Sequence, residues 1–396
     1  MRDFILDAAD RSFRAQVRAF LARELAPRTQ DIEERDDWNA IRAVVRALGE
    51  AGYLKLMFGD LYRGALPAAG LTHATILSEE AAYLNYAFET TIATALSCAY
   101  PLHRHATASV RERYLPGIVE GLTVGAICVT ESDAGSDTSR LQTTIARDAA
   151  TGEYVIRGFK RYISNAGVAD VYIVYGVDGI DGGAGKSMSA ILVPAGTPGL
   201  SFPRRYTFMG RRGCVVGEVA FDGCRVPADH LLGEPNSGMR IMRGMFNFER
   251  VILGGSGVGV ARSAFDIACD HAQSREVFGE KLGCKQLVWS AIAEMSCRID
   301  AAELLTYRAA KLYDTGCDAT ALMKPAAMAK LAATEAATFC ADRAVQILGG
   351  DGITKEYGRA EQIYRDARAL PIVGGTSEIA KYLIAVADLP AIRPRL

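Results

Sequence analysis

Five stretches of this 396-residue chain set hydrogen-bonding side chains next to glycine or an aromatic ring. The first is Ile127-Cys-Val129-Thr130-Glu-Ser-Asp-Ala-Gly135-Ser136-Asp137. Thr130, Gly135 and Ser136 make a polar turn with backbone N–H groups free to donate, suited to the carbonyls of a heterocycle or to a thioester tail. Taken alone, these residues read equally as a solvated turn. The second is Lys160-Arg-Tyr162-Ile163-Ser164-Asn165. In extended order, its aromatic, aliphatic and hydroxyl side chains can wall a flat ring and donate one hydrogen bond, or simply form an edge strand. The third is Ser274-Arg275-Glu-Val-Phe278-Gly279, followed by Lys285-Gln286. An arginine fork there matches phosphate oxygens. The fourth, Gln346-Ile-Leu-Gly349-Gly350-Asp-Gly352, permits close backbone approach to a ligand, or only ends a helix. In the fifth, Gly374-Gly375-Thr376-Ser377-Glu378-Ile379, Thr376 or Ser377 caps a final helix. A capped N-terminus accepts anionic or carbonyl groups.

The elements that carry these stretches fall into three zones. Residues 1–123 read as helices: apolar residues recur at helical spacing over Arg14 to Leu25, Ile41 to Leu56, Ala74 to Tyr86 and Ser109 to Val119, with a loop at Pro67 and Gly70. Residues 124–236 change period. Glu153 to Arg157, Val171 to Tyr175, Met188 to Val193 and Glu218 to Phe221 are short and rich in β-branched and aromatic residues. Turns at Thr151-Gly152, Asp181-Gly-Gly183 and Asp222-Gly223 separate them. Residues 237–396 return to helical periods over Met239 to Gly254, Gly257 to Arg275, Lys285 to Thr315, Leu322 to Leu348 and Ser377 to Val386. The expected class is α+β, with a β domain set between two helical ones.

Composition excludes several functions. Net charge is −1, so no global field draws in nucleic acid or an anionic membrane. Apolar runs fall well short of the ~18 residues of a bilayer span. Met1-Arg-Asp-Phe4 lacks the order of a signal peptide. Nine cysteines without a C-x-x-C pair suggest neither a zinc ribbon nor a disulfide framework, and fit a reducing cytoplasm. His103 and His105 have no partner at metal-ligand spacing.

In this order the five stretches, with Val219-Ala-Phe-x-x-Cys224-Arg-Val-Pro227 between them, resemble the acyl-CoA dehydrogenase family over nearly the whole chain. The resemblance implies a helical N-terminal domain, a middle β-barrel and a C-terminal four-helix bundle. It implies FAD between barrel and bundle, in a homodimer or homotetramer whose neighbouring subunit holds part of each cofactor. By the same resemblance Ile127, Val129, Thr130, Ser136, Tyr162, Ile163 and Ser164 face the flavin, and Ser136 also meets the thioester's carrier arm. Arg275, Phe278, Gln286, Gln346, Gly349, Gly350, Thr376 and Glu378 complete the FAD site. The implied reaction removes two hydrogens from the Cα–Cβ bond of an acyl thioester, with an electron-transfer flavoprotein as a possible acceptor.

That reaction needs a base, because a thioester α-proton is a very weak acid. Most members of the family carry a Glu just before Gly-Thr-Ser; here that position is Gly374. A smaller branch, including isovaleryl-type enzymes, carries it on the first C-terminal helix before an Arg. This chain reads Asn247-Phe248-Glu249-Arg250 there. Glu249 flanks the apolar row Ile241, Met245, Phe248 and Ile252, so desolvation would raise its pKa. A surface Glu paired with Arg243 or Arg250 is the plainer reading of the same residues. The resemblance makes Glu249 the base, leaves Gly374 its N–H as oxyanion donor, and puts Asn247, Arg250 and Gly375 beside the substrate. Three positions depart from the family: Tyr162 replaces Trp, Ser132 replaces Pro, and Val386 replaces an Arg, which leaves a carrier-protein thioester open beside CoA. Two rival readings are an oxidase that passes electrons to O₂ and a flavin-bearing binding protein without activity.

Overall fold

The computed structural model describes residues 5–55, 58, 70–178 and 187–391. The expectations at Met1 to Phe4, Leu56, Pro67 and Asp181 to Gly183 lie outside the described residues.

Helices α1 (Ala8–Glu24), α2 (Thr29–Arg35), α3 (Trp38–Glu50), α4 (Gly70–Leu84), α5 (Tyr86–His105) and α6 (Ala108–Val119) come first. Gly70, expected in a loop, is the first residue of α4. Asp7 caps α1 in a capping box, and Asn85 caps α5 through Phe88 N–H at 2.8 Å.

Strands β1 (Gly125–Cys128), β2 (Thr144–Arg147), β3 (Tyr154–Ser164), β4 (Val171–Asp178), β5 (Met188–Pro194), β6 (Leu200–Ser201) and β7 (Val216–Val226) follow. They form one mixed sheet in the order β1-β4-β2-β3-β7-β6, with β5 on the other side of β4. Side chains alternate across it. Ala126, Cys128, Tyr172, Val174, Ile191 and Val193 fill a core that the sheet encloses by itself. Ile173, Tyr175, Ala190 and Leu192, from the same strands, join the core of the helices. β1, β2 and β6 were not apparent in the sequence, because two to four residues are too few for a period of two to register.

Lys160 to Ser164 end β3 and pair with β7 alone, because β2 covers only Tyr154 to Arg157 on the other side; the edge reading of the segment holds there, with the Thr130 carbonyl accepting from Arg161 N–H on the open side. Register shifts between Lys160 and Ile163, where the chain bulges by one residue. Tyr162 sits at the bulge with φ +58° and is turned outward, 53% exposed.

The last zone holds α7 (Gly238–Ser274), a short hairpin of β8 (Glu276–Val277) and β9 (Glu280–Lys281), α8 (Gln286–Asp314), α9 (Ala319–Leu348), α10 (Ala360–Ala367) and α11 (Ser377–Asp388). The two helices expected over Met239 to Arg275 are one unbroken helix of 37 residues. Its glycines are contact points rather than breaks. A Cβ on Gly255 would lie 2.6 Å from Thr75 O on α4, on Gly257 2.7 Å from the Ala333 backbone on α9, and on Gly259 2.1 Å from Glu79 O on α4. Glycine there lets three helices approach more closely than any side chain permits. α7 is also the one described helix with the length and hydropathy to cross a bilayer, which the reading of apolar runs did not anticipate; 83% of that stretch is buried inside the protein.

Charges tie this helix to the first domain. Glu79 on α4 accepts from Arg14 (2.9 Å), Tyr307 (2.5 Å) and Arg262, while Glu80 accepts from Arg18 and Arg262, each at 2.9 Å. Each buried charge meets an opposite one, the condition under which such groups are tolerated in a core.

Candidate active site

Glu249 projects from α7 beside its buried row, in which Ile241, Met245, Phe248 and Ile252 are at most 3% exposed. Its carboxylate makes no hydrogen bond or ion pair with any described residue, so the surface pair with Arg243 or Arg250 is absent. Burial pushes its pKa up to about 7, against the opposing pull of the Arg250 and Lys330 charges.

Gly374 stands directly across from it. A Cβ built on Gly374 would lie 4.0 Å from Glu249 Cδ and 2.3 Å from Leu253 Cδ1. The Glu249 carboxyl and the Leu253 side chain therefore fill the space that a side chain at 374 would enter. Gly374 has φ +64° and Gly375 φ +94°, and no described residue accepts from the Gly374 N–H. A backbone donor with no described acceptor and an unpaired carboxylate thus lie close together, and such a pair can polarise a carbonyl and take a proton from its neighbouring carbon.

Two side chains fix this loop. Arg250 Nε donates to Gly374 O at 3.3 Å, and Lys330 Nζ donates to Pro371 O (2.9 Å) and Gly375 O (2.8 Å). Arg250 Nη1 also donates to Asn247 Oδ1 (3.0 Å), and Asn247 Nδ2 to Ala319 O (2.8 Å). Asn247, Arg250 and Gly375 were expected beside the substrate. Asn247 Oδ1 and Nδ2, Arg250 Nε and Nη1 and Gly375 O are engaged with the protein, while Arg250 Nη2 and the Gly375 N–H have no partner among the described residues. Lys330 was missed, although the sequence offered a signal: a lysine stands on the apolar face of α9 among Ala326, Ala329 and Ala333.

Further along the same face of α7, Ser256 Oγ donates to Glu89 Oε1 at 2.7 Å, and Ser78 Oγ does so at 2.5 Å. Glu89 is fully buried, and its pKa is pushed up to about 7 by burial. The sequence reading passed it over, although it is the single acid of α5, set among apolar and hydroxyl side chains.

The β domain presents a flat face of its own. Tyr162 stacks on Tyr206 with centroids 4.9 Å apart, and the Arg161 guanidinium lies 5.2 Å and 5.9 Å from the two rings. Arg161 N–H donates to Thr130 O at 2.9 Å, which brings the polar turn after β1 to the bulge in β3. Buried Lys160 locks the turn from below, through Glu131 (2.8 Å), Val129 O (3.0 Å) and Tyr175 O (2.6 Å). Thr130 and Ser164 are half-buried and Ser136 is exposed, all able to meet a ligand. Val129 and Ile163 are not: both side chains are packed into the cores, Ile163 at 2% exposure, so only their backbones are available. Ile127 is half-buried against the helical core.

The remaining expected residues form a second group. Arg275, Gln286, Gln346, Gly349 and Gly350 are exposed, and Phe278 is 97% exposed. Arg275 ends α7, 26 residues beyond Glu249 and roughly 39 Å away at 1.5 Å per residue. One extended dinucleotide does not bridge that distance. Thr376 caps α11 through Ile379 N–H (3.3 Å), and with Glu378 and Arg368 it lines an open cleft against α9.

Three family descriptions match in chain order: the N-terminal domain of acyl-CoA dehydrogenases over residues 7–122, the middle domain over 126–224, and the C-terminal domain over 236–387. Acryloyl-CoA reductase (NADH) from Anaerotignum propionicum is 33% identical over 97% of this chain and 95% of its own. Mitochondrial isovaleryl-CoA dehydrogenase from Pongo abelii is 30% identical over 96% and 88%. Among solved structures, butyryl-CoA dehydrogenase from Megasphaera elsdenii superposes with a TM-score of 0.91 at 29% identity, covering 98% of this chain and all of that one. An FAD complex of PigA gives 0.89 at 25% identity over 98% and 99%, and the prolyl acyl carrier protein oxidase AnaB 0.87 at 27% over 96% and 98%.

Proposed function

This chain belongs to the acyl-CoA dehydrogenase family, and from that membership we propose that it removes two hydrogens across the Cα–Cβ bond of an acyl-CoA thioester with Glu249 as the base. The observation that carries the base assignment is the unpaired Glu249 carboxyl lying 4.0 Å from where a Gly374 side chain would begin. FAD, when bound, supplies the acceptor for the hydride that leaves Cβ. The chain's residues fit that group: a stacked Tyr162–Tyr206 face with a cation beside it, a polar turn tied to it through Thr130, and free backbone donors at Gly374.

The Gly374 N–H donates to the thioester oxygen and stabilises the negative charge that grows there as the α-proton leaves. Glu249, made more basic by burial, takes that proton at its carboxylate. Leu253 and the apolar row of α7 keep water from the carboxylate. The proton ends on Glu249 and the product is an α,β-unsaturated thioester.

Arg275, Phe278, Gln286, Gln346, Gly349 and Gly350 serve the cofactor of a neighbouring copy in a homodimer or homotetramer. Their distance from Glu249 and the exposed Phe278, Leu287 (87%) and Trp289 (51%) favour this. A carrier-protein thioester is a second reading. It is favoured by Val386 on α11, where the family's arginine is missing, and by the likeness to a carrier-protein oxidase.

The test is anaerobic mixing of the FAD-loaded protein with a panel of acyl thioesters on CoA and on carrier protein. Bleaching by a CoA thioester is expected; bleaching by carrier-bound acyl groups alone transfers the assignment to the second reading. Re-oxidation in air then separates acceptors: rapid peroxide formation marks an oxidase, and slow re-oxidation marks a dehydrogenase that needs an electron-transfer flavoprotein.

A further inference from the structure

We propose that Lys330 is a positioning residue for this reaction: its ammonium group holds the loop that presents the Gly374 N–H and supplies a positive charge to the Glu249 carboxylate across the site. The inference rests on the base assignment above and adds a residue that none of the sequence motifs contains.

Lys330 is 0% exposed. Burying an ammonium group costs several kcal/mol unless it is matched. Lys160, equally buried, is matched by Glu131 at 2.8 Å. Lys330 contacts no described carboxylate; it donates to the carbonyls of Pro371 and Gly375, at 2.9 Å and 2.8 Å. A neutral amide could tether those carbonyls. A full charge there has a use only if something anionic benefits from it. The unpaired acid in range is Glu249.

The tether matters because of what the loop lacks. Gly374 and Gly375 both have positive φ and no side chain to anchor them. Their position is set through backbone carbonyls: Pro371 O and Gly375 O by Lys330, and Gly374 O by Arg250 at 3.3 Å. Three carbonyls within five residues are thus held from α9 and α7, and the Gly374 N–H between them is left free. An oxyanion donor works only when held within a fraction of an ångström, and losing one typically costs ~10²–10³ in rate.

The charged groups around Lys330 are Glu249 and Arg250 from α7, Glu378 from α11 and Glu335 from its own α9. Burial, with repulsion from Arg250, pulls the Lys330 pKa down to about 8, while Glu249 opposes the fall. Lys330 in turn lowers the Glu249 pKa against burial. Removing the charge must therefore raise the pH at which Glu249 becomes a base.

Lys330→Gln keeps donors for the carbonyls and removes the charge; Lys330→Arg keeps the charge; Lys330→Met removes both. Each is loaded with FAD, and kcat, KM and the pH profile of kcat/KM are measured, with Lys324→Met on the exposed face of α9 as the unchanged control. Lys330→Gln should move the rising limb of the profile to higher pH with KM little altered. Lys330→Arg should return that limb toward the wild-type position. Lys330→Met should also lose roughly 10²-fold in kcat. A Lys330→Gln profile that superimposes on the wild type overturns the electrostatic role, and wild-type kcat in Lys330→Met overturns the tether. Should no variant retain FAD, the wild type decides. Its kcat/KM must fall above about pH 8 as the ammonium deprotonates, and a flat profile through that range overturns the proposal. A wild-type protein that bleaches with no thioester condemns the reaction assignment instead. Hydrogen exchange at 371–376, compared between wild type and Lys330→Gln, then still reports on the tether.

Discussion

Replacing Glu249 by Gln removes one proton acceptor and changes little else. The amide has the same size, and the carboxylate it replaces has no hydrogen bond or ion pair to lose. Loss of a positioned general base costs typically ~10²–10⁴ in rate, or about 3–5.5 kcal/mol of barrier at 1.36 kcal/mol per tenfold. The upper end is expected here, because no other acid can take over. The nearest buried candidate, Glu89, is held by Ser78 and by Ser256, and Ser256 lies seven residues along α7, roughly 10 Å from Glu249. Glu249→Asp should fall between wild type and Gln, since withdrawing the carboxylate by about 1 Å costs ~10²-fold. The assay is anaerobic stopped-flow bleaching of bound FAD, with equilibrium binding of the thioester measured separately. Glu249→Gln should bind FAD and thioester normally and bleach at least ~10³-fold more slowly. The wild-type rate should itself depend on pH. A carboxyl raised to about 7 is protonated and idle below that pH, so kcat/KM should fall tenfold per unit on the acid side. Wild-type bleaching in Glu249→Gln, or a wild-type profile flat from acid pH through 8, would refute the argument.

Moving the base to 374 should succeed only in part in this scaffold: Glu249→Gly with Gly374→Glu should bleach more slowly than the wild type, because Leu253 Cδ1, 2.3 Å from the new Cβ, must swing aside and φ +64° strains a side chain there, and adding Leu253→Ala should raise the rate. Gly259→Ala pushes a methyl to 2.1 Å from Glu79 O and should cost 1–3 kcal/mol or more, read as a lower midpoint in urea. Gly350→Ala, which meets nothing within 4 Å, should leave that midpoint unchanged. Phe278→Asp puts a charge on a ring that is 97% exposed in the single chain, and should leave the chain folded by circular dichroism while shifting it to a smaller species on gel filtration and lowering its FAD content.

What could be read from the sequence was chemistry expressed in residue types. Tyr162 announces a flat face, Thr376 a cap, and a glycine at 374 announces that the base must be elsewhere. Periodicity located the long helices and the four longer strands. It failed where one residue type serves two purposes. The glycines of α7 suggested a break near Gly254, because glycine is a poor helix former; in the fold they are where α4 and α9 press against the helix. The bulge that turns Tyr162 outward depends on pairing with β7 and leaves no local trace. Asn247 and Arg250 stand beside Glu249 in sequence, yet each donates to a carbonyl from a distant segment, Ala319 O and Gly374 O, and they bond each other. Lys330 and Glu89 are isolated in sequence and gain their meaning only from the loop and the serines that the fold brings to them.

In the homodimer proposed above, α7 runs unbroken from Glu249 to Ser274, so a single chain would hold half of each of two different sites. Damage at the two ends of the helix therefore falls on separate catalytic centres. Chains with Glu249→Gln and chains with Arg275→Ala should each be inert by themselves, but a proposed dimer containing one of each would have one centre carrying both lesions and another carrying neither. Two dead proteins, unfolded and refolded together, should then regain part of the activity.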